Sequence, residues 1–92
     1  MAAQPDSVVI KGVDIPDERQ QHAIRTATHA IASASTQQEA ATIVKKEFDK
    51  SYGPYWHCIV GESFGSAITH ESNGFIYFNI GTTAVLLYKA GN

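Results

Sequence analysis

The triplet Tyr52-Gly53-Pro54 is the strongest constraint on how this 92-residue chain can fold. Proline has no N–H for a helix interior and biases the residue before it towards extended geometry, so no helix runs through this point. On its N-terminal side, apolar residues recur at helical spacing. On its C-terminal side, β-branched and aromatic residues come in short runs separated by glycine. Helices are therefore expected upstream and most of the strands downstream.

Residues 1–7 are small, polar and Pro-containing, and read as a mobile N-terminal tail, with 8–92 as a single domain. Val8-Val9-Ile10, followed by Lys11-Gly12, predicts a short strand. In Asp14-Ile15-Pro16-Asp17-Glu18 the proline suits a first helical turn, and the two carboxylates complement the positive end of the helix dipole. The stripe Ala23, Ile24, Ala27, Ala30, Ile31 and Ala34 then marks a helix whose small residues let a neighbour approach closely. Thr36-Gln37-Gln38-Glu39 matches a capping box, in which the Thr hydroxyl and the Glu carboxylate each accept from a free N–H at the helix start. A second helix follows, with Ala40, Val44 and Phe48 on its apolar face.

Beyond the triplet, Trp56–Val60, Ser66–Glu71, Phe75–Ile80 and Thr83–Lys89 read as strands. Asn73-Gly74 flanked by such runs is a hairpin signal, and the third and fourth runs are expected to be hairpin partners. The order of strand, two helices and a four-stranded antiparallel region predicts an α+β fold.

Composition narrows the function classes. A net charge of −2 with no basic stripe argues against nucleic-acid binding, which Lys and Arg drive by neutralising phosphates. No apolar run approaches the ~20 residues of a membrane span, and MAAQPDSVV does not read as a secretory signal. One cysteine cannot form an intrachain disulfide, so a reducing, intracellular setting is expected. A core of this modest size is often completed by association, which makes dimerisation a reasonable expectation.

Trp56-His57-Cys58-Ile59-Val60-Gly61 gathers residues that suggest chemistry. In a strand, however, His57 and Cys58 point to opposite faces and cannot form a nucleophile–base pair with each other. A free cysteine there behaves as a small hydrophobe. One Cys and four scattered His do not supply the closely spaced pairs of a structural zinc site, and His22 and His29 read as solvated helix residues. The glycines between strands lack the strand–loop–helix context of a phosphate loop. No enzyme, metal or cofactor signature remains.

Phe64-Gly65-Ser66-Ala67-Ile68-Thr69-His70-Glu71 alternates without a strongly apolar face, as a sheet edge does. Such an edge is either simply solvated or completed by an added strand from a partner.

These residues together resemble the small dynein light chains of the hub type, the peptide-binding family distinct from the roadblock light chains. The likeness runs through Val9-Ile10-Lys11, Lys45-Lys46-Glu47-Phe48-Asp49-Lys50, Trp56–Gly61, Phe64-Gly65-Ser66, Thr69-His70-Glu71 and Phe75-Ile76-Tyr77-Phe78. The resemblance implies a strand-exchanged dimer with two parallel grooves, each taking an extended peptide as an extra strand. It assigns peptide binding to Phe64, Gly65, Ser66, Ala67, Ile68, Thr69 and His70, with Phe75, Tyr77 and Asn79 beside them. Gln37 and Gln38 of the other protomer would receive the Gln of a Thr-Gln-Thr-like motif. It also assigns His57, Ser66 and Lys45 to the dimer interface. Burial of His57 there would oppose its protonation, so acid is expected to favour monomers.

The implied partners are a second copy or a related light chain, the dynein intermediate chain and other extended peptides, with no nucleic acid, membrane or cofactor. The implied location is cytoplasm and cytoskeleton, with a ciliary or flagellar axoneme as the alternative. The chain also departs from the family pattern. Glu62, Ala67, Asn79 and Thr82 stand where the family commonly carries Arg, Tyr, an aromatic and Gln, and Ala90 replaces a regulatory Ser. The first four are expected to alter peptide preference, as would suit a divergent subunit dedicated to one partner, such as an axonemal dynein.

Overall fold

A computed structural model describes residues 7–62 and 74–90. Their order is β1 (Val8–Asp14), α1 (Asp17–Ser33), α2 (Gln37–Tyr52), β2 (Trp56–Glu62), β3 (Phe75–Ile80) and β4 (Thr83–Lys89). The expected Ser66–Glu71 strand and the tail 1–6 lie outside the described residues. Ser7, read with the tail, is tied down: its carbonyl accepts from the Gly81 N–H at 3.0 Å.

Both helices begin where their sequence signals stand. Pro16 precedes α1, and its carbonyl accepts from the N–H groups of Arg19 at 2.9 Å and Gln20 at 3.0 Å. Thr36 caps α2, its hydroxyl accepting from the Glu39 N–H at 3.0 Å. The Glu39 carboxylate closes the box one residue earlier than expected, accepting from the Ser35 N–H at 3.0 Å. Gly53, at φ +82°, ends the helix in a conformation that glycine adopts without steric cost. No helix among the described residues is long and apolar enough to cross a membrane.

The described strands form an antiparallel sheet in the order β1-β3-β4-β2. β3 and β4 are the hairpin partners expected, but the turn is Gly81-Thr82, not Asn73-Gly74. Gly81 takes φ +62° while Thr82 keeps a negative φ, the pattern of a type II′ turn that matches the twist of its strands. β1 is longer than Val8–Gly12 and pairs with β3 through a register shift between Ile10 and Gly12, which leaves Lys11 as a bulge.

Both helices cover one face of this sheet. Ala23, Ala27 and Ala30 of α1 and Val44 and Phe48 of α2 are fully buried against Trp56, Ile76, Phe78, Val85 and Leu87. The small residues of α1 allow this close approach, while Phe48 fills the centre. Its ring centroid lies 4.9 Å from those of both Trp56 and Tyr52. Asp49 fastens α2 to the start of β2: Oδ1 accepts from the Trp56 N–H at 2.8 Å, and Oδ2 accepts from Lys45 Nζ one turn earlier.

Candidate functional site

No helix among the described residues lies over the other face of the sheet. Strand alternation places His57 and Ile59 of β2, Phe75, Tyr77 and Asn79 of β3, and Leu86 and Tyr88 of β4 on this face. The register brings them into rows: His57 opposite Tyr88 opposite Phe75, and Ile59 opposite Leu86 opposite Tyr77. His57 and Tyr88 stack with ring centroids 5.3 Å apart and planes 26° apart. Ile59, two positions after His57, is 47% exposed, and Val9 of β1 is 52% exposed. Ile59 and Tyr88 do not stand out in the sequence, yet they share the face of His57. The signal that finds them is period-2 spacing read across the pairing.

The face is apolar and close-packed at its centre. Phe75 and Leu86 are almost fully buried although they lie outside the helix-side core. Gly12, opposite Tyr77, permits this: a Cβ there would stand 3.3 Å from the Phe75 ring, tighter than ordinary contact. Asn79 is the polar exception, with its buried Oδ1 lacking a hydrogen-bond partner. A buried unpaired carbonyl is costly, so a donor reaching this point would be stabilised.

The two edges of the described sheet differ in kind. β1 carries a bulge and Lys11, two devices that discourage further strand pairing. β2 pairs with β4 in unbroken register from Trp56 to Glu62, and its other edge has no strand partner among the described residues. That edge is unbulged, seven residues long and continuous with the apolar face.

Phe75, Tyr77, Asn79 and His57 are thus brought onto one face. Gln37 and Gln38 are not: they are exposed at the start of α2, in the helix layer, where Gln37 borders a small cleft of about 160 Å³ with Ile31 and Thr36. Lys45 also lies in the helix layer, bonded to Asp49. Phe64, Gly65, Ser66, Ala67, Ile68, Thr69 and His70 lie outside the described residues. Among the departures, Glu62 ends β2 exposed, Thr82 is exposed in the hairpin turn, and Ala90 is exposed after β4.

Cys58 faces the helices, half-buried against the core, and burial pushes its thiol up to about 12. It therefore stays protonated and unreactive at neutral pH, and His57 is on the opposite face. Among the described residues no three His, Cys, Asp or Glu side chains gather into a metal site. His22 departs from the solvated position expected of it. It is partly buried between the helices, with Nδ1 2.7 Å from Tyr52 Oη and Nε2 3.1 Å from Glu47 Oε2, and its ring lies 5.0 Å from that of Phe48. Its partners come from α2, so helix periodicity in α1 alone could not reveal them.

A family profile described as dynein light chain type 1 matches residues 7–90. Among solved structures, the dynein light chain-like domain of the Fasciola hepatica calcium binding protein FhCaBP2 is similar, with a TM-score of 0.82 at 18% identity over 94% of this chain and 93% of that one. The dynein light chain-like domain of CsTAL3 is similar with a TM-score of 0.78 at 20% identity, over 92% of this chain and 94% of that one. At these identities the structural likenesses carry the fold, while the family match spans nearly the whole sequence. The chain belongs to the dynein light chain type 1 family.

Proposed function

We propose that this protein is a non-enzymatic dynein light chain subunit that dimerises and holds extended segments of partner chains, the dynein intermediate chain among them, as added strands. The observation that carries this reading is the unbulged edge of β2, without a strand partner among the described residues, beside an apolar face on which Ile59 is 47% exposed. Backbone N–H and C=O groups along such an edge bind a strand from another chain, and the apolar face is buried by the same association. In this reading Phe64–His70 crosses to the partner's sheet and pairs with the peptide, while Gln37 and Gln38 close the groove from the opposite protomer. Two grooves on one dimer then gain by avidity when both chains of a partner engage. The expected setting is the cytoskeleton, in microtubule-based motor assembly.

A second reading is a fixed structural subunit of an axonemal dynein, paired with a copy of itself or a related light chain, whose altered groove no longer takes exchangeable peptides. The unpartnered Asn79 Oδ1, at a position where the family commonly carries an aromatic, favours it. Titration of a labelled Thr-Gln-Thr-type peptide into the full chain separates the two. Saturable binding that a Gly65→Trp change abolishes, with the dimer intact, supports the peptide-binding subunit. A stable dimer with no peptide binding supports the fixed subunit, and a monomer at all concentrations overturns both.

A further inference from the structure

On the far side of the molecule from the open sheet face, the two helices bring cations together. His22, Arg25 and His29 stand on one stripe of α1, and Ile43, Lys46 and Lys50 on one stripe of α2. The two stripes line a shallow cleft of about 640 Å³ between the outer surfaces of the helices. Arg25, His29, Lys46 and Lys50 are exposed.

The charge of this cleft is not balanced locally. Its carboxylate, Glu47, is already engaged, with Oε2 3.1 Å from His22 Nε2 and accepting from Ser51 Oγ at 3.2 Å. The ion pairs among the described residues are His22–Glu47 and Lys45–Asp49, so Arg25, Lys46 and Lys50 have no carboxylate partner there. Asp17 and Glu18 border the next cleft along α1, which shares His22 and Arg25, and no ion pair joins them to Arg25. Three free cations thus meet in one cleft of a chain whose net charge is −2. Like charges held together repel, and an anionic partner turns that repulsion into attraction.

The shape of the cleft selects among anions. The ends of each stripe are seven positions apart, about 10.5 Å at the helical rise, or two turns. Lys46 and Lys50 stand one turn apart, so their charge is spread along the cleft and not focused on a single phosphate-sized point. A groove between two helices accepts the ridges of a third, and Ile43 offers that helix an apolar contact. A polyanion such as a nucleic acid would need a wider basic surface, and the net negative charge of the chain opposes it.

We infer that the α1–α2 cleft is a docking surface for an acidic helical segment of a partner protein, its turn-spaced carboxylates facing Arg25, Lys46 and Lys50. The surface belongs to the helix layer, so it stands independently of what the open sheet face binds.

The test uses the full chain and a fluorescent, alanine-based helix of about 15 residues, long enough to hold helical structure, with Glu at i, i+3, i+4 and i+7. Anisotropy at low salt is expected to show saturable binding that weakens as salt rises. The Arg25→Glu, Lys46→Glu double variant should weaken it by more than about tenfold, and Lys11→Glu, on β1, should leave it unchanged. Lys46→Gln, which neutralises without reversing charge, should cost severalfold and covers the case in which the double variant misfolds. A peptide of the same composition with scrambled Glu spacing should bind more weakly. Equal binding by the wild type and the cleft variants overturns the proposal, as does no saturable binding. Stronger competition by inorganic phosphate, anionic vesicles or an oligonucleotide than by the unlabelled helix also overturns it.

Discussion

The two faces of the sheet are built from the same kinds of residue and have opposite fates. On the helix-covered face Trp56, Ile76, Phe78, Val85 and Leu87 are fully buried within one protomer. On the open face, Phe75 and Leu86 are buried but Ile59, no less apolar, remains half exposed, while along edge strand β1 Val8, Val9 and Ile10 are exposed on both faces. The difference lies in what stands above each face: α1 and α2 close the first over β2, β3 and β4, and no helix among the described residues closes the second. Burial contributes stability in proportion to the apolar area removed from water, and area that the protomer leaves exposed can still be removed by association. One face therefore makes the protomer, and the other gives it a reason to find a partner.

The largest effect is expected from breaking the closed face. Phe48→Ala removes the ring packed on Tyr52 and Trp56, each with centroids 4.9 Å away. It should lower the unfolding free energy by about 3–5 kcal/mol, much of the total for a domain of this size. Urea denaturation followed by Trp56 fluorescence measures it, and a loss below about 1 kcal/mol would show that the helix layer is not what stabilises the sheet.

Ile59→Asp probes the open face and should separate the two roles. Because Ile59 is 47% exposed, protomer stability at low protein concentration should move by no more than about 0.5 kcal/mol. Self-association should weaken by at least about tenfold, since a symmetric contact would bury the carboxylate twice. Sedimentation velocity over a dilution series reads the second quantity. Parallel losses in both would erase the distinction between the faces.

The smallest effect concerns the fastening between helix layer and sheet. The Lys45 hydrogen bond, and after it the Trp56 N–H, hold the Asp49 carboxyl below its ordinary value of 3.8. A carboxylate depressed in the folded state stabilises it above the unfolded value, and that contribution is lost as pH falls through the folded value. The melting-temperature gap between wild type and Asp49→Asn should therefore be full at neutral pH and close as pH drops below 3.8. A gap that widened on acidification would mean that Asp49 does not act through its charge.

Much of the layout was legible because it rests on local chemistry. Pro16 and Thr36 mark the helix starts, Gly53-Pro54 the switch to strands, and the alternation in Trp56–Val60 separates His57 from Cys58. The family could be recognised from the run Lys45–Lys50 followed by Trp56–Gly61, and the match over residues 7–90 bears that out. The candidate site was legible only in pieces. Alternation places Phe75, Tyr77 and Asn79 on one face of β3, but that Ile59, Leu86 and Tyr77 form a row depends on register across three strands. His22 shows the same limit, since its partners Glu47 and Tyr52 belong to another helix.

The sequence by itself determined the two helices and the strands of the described residues, and their order, because caps, prolines and periodicity act over a few residues. Tertiary structure alone decided that Val8 pairs with Ile80, that β2 and not β3 stands at an edge of the sheet formed by the described residues, and that Arg25 meets Lys46 and Lys50 across one cleft. These are contacts between distant parts of the chain. They are selected by which packing of the whole buries the most apolar surface, and no local window of sequence contains that comparison.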